Sequence, residues 1–206
     1  MTGAEDDVVD LAFALEGSEL PRAYRADLAK ALLAALPWIA LEPSIAVHRL
    51  NLSAGAGPRA LLSRRTRLTL RLPRAQAARA RELIGQQLAI GECRLRVGDA
   101  QERELLPFHT LYAHLVVLDA SQADDELTFQ RAVESLITAR GVACRAIFGR
   151  RQVIEDGALR GAPVMLDGLS APTALCIMRE GLGDRRLLGC GVFVPHKSAA
   201  AVGSTS

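Results

Sequence analysis

The eight residues from Arg65 to Leu72, Arg-Thr-Arg-Leu-Thr-Leu-Arg-Leu, constrain the fold more than any other stretch of the chain. Successive side chains of an extended strand point to opposite faces, so Arg65, Arg67, Thr69 and Arg71 share one side. Thr66, Leu68, Leu70 and Leu72 share the other. A strand with one apolar and one basic face belongs to an antiparallel sheet covered on one side by helices. The alternation therefore predicts leucines beneath helices and arginines on an open face.

The elements around this strand repeat one order twice. Val8 to Leu15 alternates, with Val9, Leu11, Phe13 and Leu15 on one face. Pro21 sits early in a helical segment that runs to about Leu36, with Leu28, Leu32, Leu33 and Leu36 as its apolar stripe and Pro37 after its end. Ile45–Leu50 reads as a second strand, 65–72 as a third, Pro73 to about Gln86 as a second helix, and Leu88–Val97 as a fourth strand. In the second half, Thr110–Leu118 is a strand with Leu111, Ala113, Leu115 and Val117 on one face. Asp124–Ala139 is a helix stopped at Gly141. Cys144–Val153 and Arg160–Leu166 form a hairpin across Glu155-Asp156-Gly157. Ser170–Glu180 is a helix capped by Ser170 and stopped by Gly181, and Leu188–Val194 closes the unit. The pattern predicts an α+β chain of two tandem ferredoxin-like (βαββαβ) domains, 1–103 and 104–198, followed by a frayed tail over 199–206.

Charge is unevenly spread. The net charge is only +2 over 206 residues. Residues 1–58 carry four basic and eight acidic side chains, whereas 59–103 carry eleven arginines against four acids. Such clustering creates a potential that attracts phosphates. The opening residues are acidic (Glu5, Asp6, Asp7), with no basic start and apolar run of a signal peptide. No apolar run reaches the roughly 18–20 residues of a membrane span, so a cytoplasmic protein without a membrane partner is expected. The four cysteines (Cys93, Cys144, Cys176 and Cys190) include no Cys-x-x-Cys pair. Buried free thiols are expected rather than a zinc site.

Residues 181–197 place two Gly-x-Gly pairs, Gly181/Gly183 and Gly189/Gly191, around Arg185 and Arg186. Glycine admits positive φ and close backbone approach. Exposed amides flanked by guanidinium groups suit a polyanion. Of the four histidines, His48 lies on the short strand after the first helix and His114 shares a strand face with Tyr112. His109 follows Pro107 in a loop, and His196 follows Pro195. Asp124-Asp125-Glu126 is the one acidic cluster after the opening residues, and its position at a helix start suits the helix dipole.

Two tandem ferredoxin-like units, with a glycine loop between the last helix and the last strand, resemble the RAMP superfamily of CRISPR-associated proteins. More closely, the chain resembles the CRISPR repeat-processing endoribonuclease, in the small subtype first described in myxobacteria. Gly181–Lys197, Leu61-Leu-Ser-Arg-Arg-Thr-Arg-Leu68, Leu36-Pro-Trp38, Thr110-Leu-Tyr112 and the segment around His48 carry the resemblance.

The resemblance implies cleavage of precursor CRISPR RNA within each repeat without metal or other cofactor, leaving a 2′,3′-cyclic phosphate and a 5′-hydroxyl. It implies a catalytic His48, assisted by Tyr24. Ser63, Arg64, Arg65, Arg67 and Arg71 would bind RNA, together with Arg150 and Arg151 on the second-half hairpin. Gly181, Gly183, Arg185, Arg186, Gly189, Gly191 and Lys197 complete the expected RNA contacts. The ligand would be a repeat hairpin, since duplex RNA is read mainly by shape and backbone and the chain is only 4% aromatic. Association with a CRISPR effector complex is compatible with it. The alternative is a non-catalytic RAMP subunit that binds guide RNA in such a complex. A two-histidine phosphoesterase needs two His-x-Thr/Ser motifs, and only His196-Lys-Ser198 fits.

Overall fold

The computed structural model describes residues 7–54, 57–118, 125–155, 157 and 159–197. The expected tail 199–206, Glu5, Asp6, Asp124, Asp156 and Ser198 lie outside the described residues. The chain divides into two compact units, Met1–Leu105 with Leu187–Gly189, and Leu106–Arg186 with Cys190–Ser206.

The first unit contains strands β1 (Val8–Glu16), β2 (Glu19–Pro21), β3 (Ala46–Val47), β4 (Ser53–Ala54), β5 (Arg59–Leu61), β6 (Arg67–Pro73), β7 (Gln87–Ile90) and β8 (Cys93–Glu104). Its helices are α1 (Arg25–Ala35) and the short α2 (Ala77–Ala80). The main sheet runs β3-β6-β1-β8-β7, with all neighbours antiparallel. The order β3-β6-β1-β8 is the ferredoxin-like arrangement, in which the two outer strands are second and fourth along the βαββαβ chain. Alternation places Val9, Leu11 and Phe13 of β1 and Leu68, Leu70 and Leu72 of β6 in the core with Leu28, Leu32 and Leu36 from α1 and its end. Each such side chain contributes roughly 1.5–3 kcal/mol when fully buried.

Several expected boundaries shift. Pro21 belongs to β2 rather than to the helix, and α1 begins four residues later. The expected fourth strand at 88–97 is a hairpin, β7 turning at Gly91 into a longer β8. The helix expected from Pro73 is broken into α2 and flanking 3-10 turns. A second small sheet, β2-β5-β4, has strands too short to show a period in sequence.

The second unit contains β9 (Thr110–Val117), α3 (Glu126–Ala139), β10 (Arg145–Phe148), β11 (Gln152–Ile154), β12 (Leu159–Asp167), α4 (Ala171–Glu180) and β13 (Val194–Pro195). The sheet order β10-β12-β9-β13 repeats the ferredoxin-like arrangement, with β11 also paired to β12. Asp125 caps α3 by accepting from the Thr128 amide at 2.9 Å, and Ser170 caps α4 through the Thr173 amide. Phe129 of α3 meets Phe148 of β10 edge-on, with ring centroids 6.3 Å apart. The closing strand is much shorter than the expected 188–194, because the preceding glycine segment folds onto β9 in irregular geometry. Cys190 is buried, whereas Cys93, Cys144 and Cys176 are only partly covered. No helix among the described residues is long and apolar enough to cross a membrane.

Candidate active site

His48 immediately follows β3, which continues the main sheet beyond β6. Its amide donates to the Thr69 carbonyl at 2.9 Å, fixing the residue to the sheet. Ala46 pairs with Arg71 and Arg71 pairs with Asp10, so β3, β6 and β1 carry these positions across the sheet in register. His48, two residues beyond Ala46, falls on the same face. Its Nε2 lies 3.2 Å from Asp10 Oδ1. Arg71 donates from Nε to Asp10 Oδ1 at 2.8 Å and from Nη2 to Oδ2 at 2.9 Å. Burial pushes the Asp10 carboxyl up, but hydrogen bonds from His48 and Arg71, with their charges, outweigh it and hold the group well below the usual carboxylate range.

This geometry corrects the expectation that Arg71 reaches RNA from an open face. The Arg71 side chain is fully buried and both carboxylate oxygens of Asp10 occupy it. Alternation identified its face, but that face is not open at this position. Thr66 is likewise buried, and its hydroxyl donates to the Asn51 carbonyl at 2.9 Å.

Tyr24 and Arg25 stand at the start of α1 and line one narrow recess with His48, Val47 and Leu187–Gly189. Tyr24 is buried, and its hydroxyl accepts from the Leu50 amide at 2.9 Å. That bond anchors the chain just beyond His48 and engages the oxygen expected to assist catalysis. Arg25 is buried too, its guanidinium carbon 5.8 Å from the centre of the Tyr24 ring. Its Nη1 donates to the carbonyls of Leu188 at 2.6 Å and Gly189 at 3.4 Å. These bonds tie Leu188 and Gly189 to the first unit. A Cβ on Gly189 would come within 2.8 Å of Arg25 Nη1 and 3.2 Å of the Val47 carbonyl.

Much of the rest of the glycine segment is hydrogen-bonded within the second unit. The amides of Gly181, Leu182, Asp184, Cys190 and Gly191 donate to the carbonyls of Ile177, Gly191, Val117, Arg185 and Leu115 respectively. Gly183 has φ of 75° and Gly191 has φ of 65°. A Cβ would lie 2.3 Å from the Val117 carbonyl oxygen at Gly183, and 2.1 Å from that of Leu182 at Gly191. The glycines therefore permit close chain packing, and the amides of Gly181 and Gly191 are themselves engaged. Arg186 is turned inward, with Nη2 donating to the Arg179 carbonyl at 2.8 Å. Arg185 is exposed and holds φ of 62°, a left-handed conformation uncommon for arginine.

The turn before β6 presents Arg64 and Arg65 to solvent. Ser63 shapes it: its hydroxyl accepts from the Arg65 amide and its carbonyl from the Thr66 amide. Arg67 folds back on the same turn, donating to the carbonyls of Arg64 and Thr66. Part of the basic excess around it is neutralised locally. Arg59 pairs with Glu19 and Glu92, Arg74 with Asp7, Glu102 and Glu104, and Arg81 with Glu102. Arg94 and Arg96 on β8 remain exposed.

In the second unit, Arg150 is exposed and Arg151 half-buried between β10 and β11, and Lys197 is exposed after β13. His196 packs its ring against Tyr112, with centroids 5.4 Å apart, and its amide donates to the Thr110 carbonyl. His109 is exposed and His114 half-buried. Of the acidic cluster, Asp125 is committed to capping α3 through both the amide and the hydroxyl of Thr128.

Sequence reasoning missed Asp10 and Arg25. Asp10 was visible as the polar phase of β1 between Val9 and Leu11, but only strand register shows that it faces Arg71.

The family profile described as Cas6 Crispr matches residues 9–198. The CRISPR-associated endonuclease Cas6 of Myxococcus xanthus (strain DK1622) is 32% identical over 198 residues, covering 95% of this chain and 85% of the relative. A solved CRISPR associated protein Cas6 superposes with a TM-score of 0.64 at 11% identity, covering 93% of this chain and all of the other. A structure described as an RAMP protein binding different RNA substrates gives 0.62 at 16% identity, covering 92% and 100%. These two likenesses support the tandem ferredoxin-like fold, and the profile and the Myxococcus relative establish descent. The chain belongs to the Cas6 family of CRISPR-associated proteins.

Proposed function

We propose that the chain is an endoribonuclease that cleaves precursor CRISPR RNA within its repeats, independently of metal, with His48 as the proton-transferring residue. The nuclease reading rests on family membership and on the Myxococcus xanthus endonuclease. The observation that carries the role of His48 is its place in a recess of the first unit, hydrogen-bonded to an ionised Asp10 and lined also by Tyr24, Arg25 and Gly189. An imidazole with an unperturbed pKa of about 6.5 exchanges protons near neutral pH.

In the reaction the 2′-hydroxyl proton of the RNA passes to the imidazole while the 2′-oxygen bonds to the adjacent phosphorus. The bond from phosphorus to the 5′-oxygen breaks, and that oxygen takes a proton from water. The products are a 2′,3′-cyclic phosphate and a 5′-hydroxyl. The nucleophile belongs to the RNA, so no activated serine or cysteine is required. Arg64, Arg65, Arg150, Arg151, Arg185 and Lys197 bind the RNA backbone in this reading. Tyr24 positions His48 by holding Leu50. The setting is cytoplasmic, and the mature RNA remains available to a CRISPR effector complex.

Incubation with the cognate repeat RNA in excess EDTA tests this. Cyclic phosphate formation, lost in His48→Ala with RNA binding retained, is the expected result. Undiminished cleavage by His48→Ala overturns the residue assignment. Binding without cleavage by the unaltered protein assigns the chain instead to guide-RNA binding.

A further inference from the structure

We propose that Asp10 is the positioning residue of the cleavage reaction, its carboxylate clamped by buried Arg71 so that it holds a hydrogen on His48 Nε2 and fixes the tautomer of the ring. The inference rests on the reading of His48 given above and extends it to a second residue and to one ring nitrogen.

An ionised carboxylate only accepts hydrogen bonds. The contact of 3.2 Å between His48 Nε2 and Asp10 Oδ1 therefore requires hydrogen on Nε2. In the neutral ring the other nitrogen, Nδ1, is then the basic one. Asp10 cannot swing away to satisfy the ring differently, because Arg71 donates to both of its oxygens from directly across the β1–β6 ladder. Ala46 flanks Arg71 on the other side, in register, just two residues before His48. Three neighbouring strands thus fix the guanidinium, the carboxylate and the imidazole in sequence.

The charged and titratable groups around His48 come from each neighbouring element. Asp10 belongs to β1 and Arg71 to β6. Tyr24 and Arg25 come from the start of α1, and Arg49 is the next residue in the chain. Arg71 is tied to Asp10, and Arg25 directs Nη1 to the carbonyls of Leu188 and Gly189. Asp10 is the carboxylate among them. When the 2′-hydroxyl proton reaches the ring, the resulting imidazolium has the Asp10 charge against Nε2. The carboxylate favours that state and orients the ring without touching the RNA.

The test combines nitrogen NMR of the full chain labelled with 15N-histidine and single-turnover cleavage of repeat RNA across pH. In the unaltered protein, the neutral His48 signal should show hydrogen on Nε2. Hydrogen on Nδ1 overturns the proposal, whatever the variants do. Asp10→Asn should slow cleavage by about 10- to 100-fold, the range for partners that orient metal-bound histidines. It should leave RNA affinity unchanged and move the acidic limb of the rate profile to lower pH. Asp10→Asn combined with Arg71→Gln removes both charges and serves if the single variant unfolds. It should show the same shifted limb, and Asp10→Glu should restore part of the rate. An unshifted limb with an unaltered rate in a folded variant overturns the proposal. Full cleavage by His48→Ala instead overturns the role of His48 in the reaction, while the nitrogen spectrum still reports whether Asp10 sets the ring.

Discussion

Arg71 and Asp10 face each other across the β1–β6 ladder and share two hydrogen bonds, of 2.8 and 2.9 Å, with the arginine side chain wholly out of solvent. Removing one member takes from the other its opposite charge across the ladder. Asp10→Ala is expected to cost about 3–5 kcal/mol, because a buried guanidinium loses the carboxylate it pairs with. Asp10→Ala combined with Arg71→Met should cost less than Asp10→Ala alone. Urea denaturation of the single and double variants measures the difference.

The same pair gives stability a pH dependence. Asp10 has its carboxyl lowered from 3.8 in the folded chain, since bonds from His48 and Arg71 outweigh the burial that would raise it. A depressed folded value means stabilisation that is complete above about pH 4 and is lost as pH falls through 3.8 toward the folded value. Urea midpoints at pH 7, 4 and 3 should therefore fall more steeply for the unaltered chain than for the variant lacking both charges.

Neighbouring arginines of the glycine segment should part company. Arg185 is exposed, whereas Arg186 donates inward to the Arg179 carbonyl. Arg185→Ala should weaken RNA binding and reduce the slope of log affinity against log salt by about 0.7–0.9, the loss of one phosphate contact. Arg186→Ala should instead lower the melting temperature. Filter binding at several salt concentrations, run beside thermal melts, separates the two effects.

Gly191→Ala should destabilise by about 2 kcal/mol or more, since strain from a left-handed conformation adds to a backbone clash. The new Cβ would sit 2.1 Å from the Leu182 carbonyl oxygen. Gly141 has the same φ of 65° but nothing within 4 Å of such a Cβ. Gly141→Ala should cost only the conformational part, about 1 kcal/mol. Chemical denaturation of the two variants isolates the clash.

Periodicity made the inward faces legible. Val9, Leu11, Phe13, Leu68, Leu70 and Leu72 all lie in the core, as two-residue alternation requires. It could not tell that the opposite face at Arg71 would also be buried, because alternation assigns sides rather than exposure. The closeness of Tyr24 and His48 in one recess depends on where the fold brings the start of α1, a long-range relation that no local pattern encodes. The glycines were visible as positions of positive φ, but that demand is common to ligand grips and to tightly packed chain. The carbonyls of Ile177, Leu115 and Val117, which accept from the amides of Gly181, Gly191 and Asp184, show the second use.

Those last bonds bear on how the protein behaves before it meets any RNA. β9 has β12 along one side, whereas on its other side β13 pairs only with Leu111 and Tyr112. Farther along, the Leu115 and Val117 carbonyls accept from Gly191 and Asp184 of the glycine segment. The segment thus insulates an edge that would otherwise be a template for strand addition from another molecule. Lesions in it should show first as poor recovery of monomer from refolding, with intermolecular β-structure in the aggregate. Solubility alone then limits which side chains this segment can accept.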